Sequence, residues 1–98
     1  MEKYEKLGKL LTVDGLNDHV IISTIDKILQ REINNIQQKI IEFDRQIHEF
    51  EKQFKRESAI FIDQFDRGTI GDNIDFIEWR STLEMKARAM ERMSMLKE

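Results

Sequence analysis

The stretch INNIQQKIIEFDRQIHEFEKQF, residues 33–54, decides how this chain folds. Its apolar residues Ile33, Ile36, Ile40, Phe43, Ile47, Phe50 and Phe54 advance in alternating steps of three and four. That is a heptad seam, which gathers these side chains on one side of a helix. No Gly or Pro interrupts residues 17–56, so the spacing predicts one continuous helix. A helix with a single apolar seam cannot bury it alone. The stretch therefore predicts a coiled-coil partner, from this chain or from another.

Toward the N-terminus the repeat changes. Ile22, Ile25, Leu29, Ile33 and Ile36 are spaced three, four, four and three, an 11-residue element ahead of the strict heptads, and such a stutter locally unwinds a supercoil. Asn17 or Asp18 offers an N-cap, and the long helix is predicted over 18–56, roughly 58 Å at 1.5 Å per residue. Residues 1–17 carry Leu7, Leu10, Leu11, Val13 and Leu16, broken by Gly8 and Asp14-Gly15, and read as a short, partly turned N-terminal arm.

Toward the C-terminus the helix gives way to an elbow. Ser58 is a candidate N-cap for a short helix over 58–67, and Gly68 suits the left-handed residue that ends it. Asp72 and Asp75 are candidate caps for a third helix over 73–96, with Asp75 and Glu78 spaced like a capping box. Phe76, Trp79, Leu83, Ala87, Met90 and Met93 recur at helical spacing and supply the apolar face of that helix. Phe61, Phe65, Phe76 and Trp79 are expected to form the elbow core. The fold class that results is all-α: a long helix and a shorter antiparallel helix in a coiled-coil hairpin over 18–97, joined by a helical elbow.

Length then directs attention to the start of the long helix. A returning helix of ~24 residues covers ~36 Å of the ~58 Å available, leaving roughly four turns uncovered. Those turns carry Val20, Ile21, Ile22, Ile25, Ile28 and Leu29, a stripe too apolar to face water on a monomer. Ile22, Ile25, Leu29 and Ile33 are accordingly the expected partner-binding residues.

Composition excludes several classes of function. A chain of 98 residues holds one small domain that needs helix packing or oligomerisation for stability. The net charge of −3 argues against general nucleic-acid binding, which requires a concentrated excess of Lys and Arg. The absence of Cys removes disulfides, thiolate metal sites and thiol nucleophiles, and fits a reducing cytoplasm. Runs such as Val20-Ile21-Ile22 and Ala59-Ile60-Phe61-Ile62 are too short to cross a bilayer, and the opening MEKYEKLGKLLTV lacks the apolar run of a signal peptide.

No residue set demands a reaction. His19 and His48 lie too far apart on one helix to share a metal. Asp63, Asp66, Asp72, Asp75 and Glu78 lack EF-hand spacing and read as capping and solvating groups. Asp75 and Glu78 have neither nucleophile nor oxyanion donors beside them. Interleaved with these acids, the elbow aromatics read as core rather than as a platform for bases. Met85, Met90, Met93 and Met95 offer an adaptable surface for a partner or for helix packing. The expectation is a non-enzyme with no catalytic residue, metal or cofactor.

The elbow also carries a resemblance. SAIF at 58–61, then FDRGTIGDNIDFIEW at 65–79, follows a long helix ending in Phe50 and Phe54. This resembles short prokaryotic coiled-coil proteins that share an aromatic pair, a Gly, the string Gly-Asp-x-x-Asp-Phe-x-Glu-Trp and a closing amphipathic helix. The likeness covers roughly residues 20–96, specific at the elbow and generic along the helices. Members are mostly uncharacterised, and some are candidate antitoxins encoded beside a small toxin. The resemblance thus implies a protein-binding role without a catalytic site, although the sequence shows no DNA-binding module. The expected function is antitoxin-like: neutralising a small, nuclease-like protein by occluding its active surface. Self-association through the long helix is expected as well, with a dimer favoured. The alternative functions are a structural or scaffolding homo-oligomeric coiled coil and a prefoldin-like holdase or adaptor.

Overall fold

The computed structural model describes residues 18–98. The expected arm over 1–17, with Asn17, lies outside the described residues. The chain forms α1 (Asp18–Phe54), α2 (Ser58–Asp66) and α3 (Ile74–Lys97), with no strand among the described residues. The long helices α1 and α3 pack against each other as a helical hairpin. The chain divides into two compact units, one ending at Glu32 and one spanning Ile33–Glu98.

In the unit Ile33–Glu98 the helices run antiparallel in a register fixed by three contacts. The ring of Phe54 lies 4.9 Å from that of Phe76, Phe50 stacks on Trp79 at 5.8 Å, and Lys86 Nζ meets Asp44 Oδ1 at 2.6 Å. Residues 33–54 of α1 rise about 33 Å and the 24 residues of α3 about 36 Å, so the final turn of α3 comes level with Ile33. The seam read from the sequence is the one that packs: Ile33, Ile36 and Ile47 are buried, and Ile40, Phe43, Phe50 and Phe54 half-buried.

The inner face of α3 differs from the expected set. Of the expected residues Phe76, Trp79, Leu83 and Met93 are withdrawn from solvent and Ala87 and Met90 are exposed; the line Asp75, Trp79, Thr82, Lys86, Ala89, Met93 and Leu96, in alternating steps of four and three, is withdrawn along its whole length. A 3.5-residue repeat governs the contact, and polar residues occupy it where their polar atoms find partners. The Thr82 hydroxyl donates to the Glu78 carbonyl at 2.8 Å. Lys86 extends its ammonium to Asp44 from a half-buried position.

Helix ends also correct the expected boundaries. α1 stops at Phe54 rather than 56, because Lys55 adopts φ 52° and the Arg56 N–H turns back to the Glu51 carbonyl at 3.2 Å. This is a Schellman-type stop made without glycine. A side chain in the left-handed region costs about 1 kcal/mol or more. Lys55→Gly is therefore expected to stabilise the hairpin by ~0.5–1 kcal/mol, after allowance for the greater freedom of glycine in the unfolded chain. A higher urea midpoint at unchanged slope would show it, and a lower midpoint would mean that the lysine side chain contributes more than its backbone costs.

α2 ends at Asp66 with Arg67 as C-cap. Gly68, at φ 70°, donates its N–H to Phe65 O, and Thr69 donates its N–H to Gln64 O, both at 3.1 Å. A Cβ at Gly68 would meet nothing within 4 Å, so the backbone dihedral alone favours glycine here.

In the unit ending at Glu32 the described residues belong to α1. Asp18 sits within the first turn, where its charge favours the positive helix end, rather than preceding the helix as a cap. Among the described residues no helix is long and apolar enough to cross a membrane.

Candidate functional site

The elbow aromatics assemble around Trp79. Trp79 and Phe61 are fully buried and stack with centroids 3.8 Å apart and ring planes 2° from parallel. Phe65 and Phe76 flank Phe61 at 5.6 and 5.7 Å, and Phe54 stacks on Trp79 at 5.9 Å. Arg56 lies over the Phe76 ring at 6.0 Å and donates to Gln64 Oε1 at 2.7 Å. The aromatic faces are engaged with one another, which is the geometry of a core.

A polar chain closes this core. Trp79 Nε1–H donates to Ser58 Oγ at 3.1 Å, and the Ser58 hydroxyl donates to Glu51 Oε2 at 2.9 Å. The Ser58 backbone N–H reaches the same oxygen at 3.0 Å. Ser58 is therefore the first residue of α2 and not its N-cap. Glu57 holds the cap position without a side-chain hydrogen bond, and the carboxylate of Glu51, from the last turn of α1, takes over the capping. A negative charge at a helix N-terminus is a stronger acceptor than a hydroxyl. No short-range capping pattern carries this contact, because its two ends are joined only by the turn after α1.

The caps of α3 are corrected too. Asn73 is the N-cap, accepting from the Asp75 N–H at 2.9 Å, while Asp72 precedes the helix and Asp75 falls in its first turn. Asn and Asp cap about equally well, so residue type alone does not choose between them.

The expected partner-binding residues divide. Ile22, Ile25 and Leu29 are exposed, at 57%, 56% and 36%, together with Val20 and Ile28. Ile33 is 8% exposed and belongs to the hairpin core, since the register brings the end of α3 level with it. Among the described residues no group of three or more His, Cys, Asp and Glu could hold a metal ion. No known protein family, curated protein or solved structure matches this chain.

The electrostatics of the surface are ordinary. The Arg45 guanidinium hydrogen-bonds Glu42 and holds that carboxyl below its usual range, and Glu42 in turn raises Arg45. A depressed carboxyl contributes stability above its unfolded pKa and loses it as pH falls through the folded value. Both groups are fully exposed, so they form a screened surface pair of i,i+3 spacing.

Proposed function

We propose that this chain is a non-catalytic protein-binding module that engages its partner through the first turns of α1. The observation that carries the reading is the exposed face of Ile22, Ile25 and Leu29, spaced three and four, with Ile28 at its edge and Val20 exposed on the far side of the same turns. Large aliphatic side chains repeated on a helix face are the usual anchors by which a helix docks on another protein. Asp18, Asp26 and Glu32 fall by helical spacing beside the Ile22, Ile25 and Leu29 face, whereas Lys27 and Arg31 of the same segment fall on the far side, so this face favours a basic partner by charge complementarity. In its finer form the proposal is antitoxin-like: the partner is a small, basic, nuclease-like protein whose active surface the helix covers, within the cytoplasm.

The test is Ile25→Asp in the full chain. Affinity purification from the native host should recover one small basic protein with the wild type, and the variant should bind it at least tenfold more weakly. Far-UV circular dichroism should show the same helicity, since Ile25 is 56% exposed. Undiminished binding by the variant would remove this stripe as the site.

A further inference from the structure

Outside the hairpin seam α3 carries a second heptad line: Ile74, Glu78, Ser81, Met85, Arg88, Arg92 and Met95, again in alternating steps of four and three. Every residue of this line is exposed, including Ile74 at 69% and Met95 at 66%. Glu78, Ser81 and Met85 line a groove of about 460 Å³ against Gln46, Glu49 and Gln53 of α1, with Phe50 and Thr82 between them. Apolar surface therefore continues from the line into the hairpin.

The chemistry along the line is ordered. Its N-terminal half is acidic at Glu78, its C-terminal half is basic at Arg88 and Arg92, and apolar residues stand at both ends and at Met85. Such a line is complementary to itself in one orientation. Laid antiparallel on an identical line about an axis at Met85, Ile74 meets Met95, Glu78 meets Arg92, Ser81 meets Arg88, and Met85 meets Met85. A parallel pairing would set Glu78 on Glu78 and each arginine on its own kind, which is repulsive.

We propose that this face of α3 is the contact between two copies of the chain, packed antiparallel about a two-fold axis. Glu49, on the α1 wall of the groove, brings a second carboxylate to the place where Arg88 of the second copy arrives. The arrangement is isologous, so each charge pair occurs twice. The line is about 32 Å long, and a face two helices wide offers on the order of 600 Å² per copy, toward the low end for a stable interface. The dimer is accordingly a reversible one, formed at micromolar concentrations. It does not depend on the α1 stripe or on what that stripe binds.

Sedimentation equilibrium of the full chain tests this directly. The wild type should dimerise, and E78R and R92E should each weaken dimerisation about tenfold or more, because two ion pairs turn repulsive. The double variant E78R/R92E should regain the dimer, as should an equimolar mixture of the two single variants. Met85→Cys should give a disulfide-linked dimer on oxidation, which checks the orientation without altering charge. A wild type that stays monomeric to ~100 µM overturns the proposal, as does a dimer indifferent to E78R or one that the double variant fails to restore. A dimer lost in Ile25→Asp but kept in E78R would put self-association on α1 and overturn it equally, while leaving the partner-binding reading to its own test.

Discussion

Trp79→Ala is expected to cost on the order of 3–5 kcal/mol, the range for removing a large aromatic from a packed core. The site leaves little room for relaxation. Trp79 is fully buried and contacts rings from both other helices: Phe50 and Phe54 of α1 and Phe61 of α2. Truncation would open a void against these rings and take from the Ser58 oxygen its indole donor, while its bond to Glu51 stays. Small domains are stabilised by only ~5–15 kcal/mol, so the loss takes a large share of the total. Trp79→Phe separates the two contributions: it keeps a stacking ring and loses the N–H to Ser58, at about 1–2 kcal/mol. Urea unfolding of the three proteins decides the matter, and a loss below ~1 kcal/mol for the alanine variant would mean that the elbow is not where the hairpin holds together.

Glu51→Ala should have the next largest effect, about 2–3 kcal/mol, because one carboxylate oxygen serves two donors of Ser58. Its removal uncaps α2 and releases the hydroxyl that positions the indole. Glu51→Gln retains an acceptor and loses the charge, so it should fall between alanine and wild type. A double-mutant cycle with Ser58→Ala should show coupling of ~1 kcal/mol or more, since the two residues share the same bonds. Additive effects would mean that Glu51 acts through packing in α1 instead.

These residues also show how far the sequence could be read. The α1 seam was legible because each of its positions is a large apolar residue in strict register. The α3 face was legible in part: Phe76, Trp79, Leu83 and Met93 are withdrawn from solvent, but Thr82, Lys86 and Asp75 are withdrawn too, and polarity is a poor guide where a hydroxyl can bond its own helix and a lysine can reach past the seam to Asp44. Gly68 was readable from its residue type, whereas capping by Glu51 was not, because that contact is tertiary. At the candidate site, a comparison of helix lengths was enough to single out Ile22, Ile25 and Leu29 as exposed. It overran by one residue at Ile33, where the register set by Phe54, Phe50 and Asp44 decides burial. Which protein the proposed site would take is not encoded in these residues, because isoleucine and leucine offer shape and water exclusion without distinctive chemistry.

The chain contains a single tryptophan, and it lies at the centre of the elbow stack. Indole emission is consequently a local signal, sensitive to the hairpin unit and blind to residues 18–32. Helical dichroism, by contrast, records every turn. Following both signals through one denaturation would resolve the two units without a label. A partner docked on the exposed turns of α1 would then leave the emission unchanged, so docking there could be told from a rearranged elbow in the cuvette.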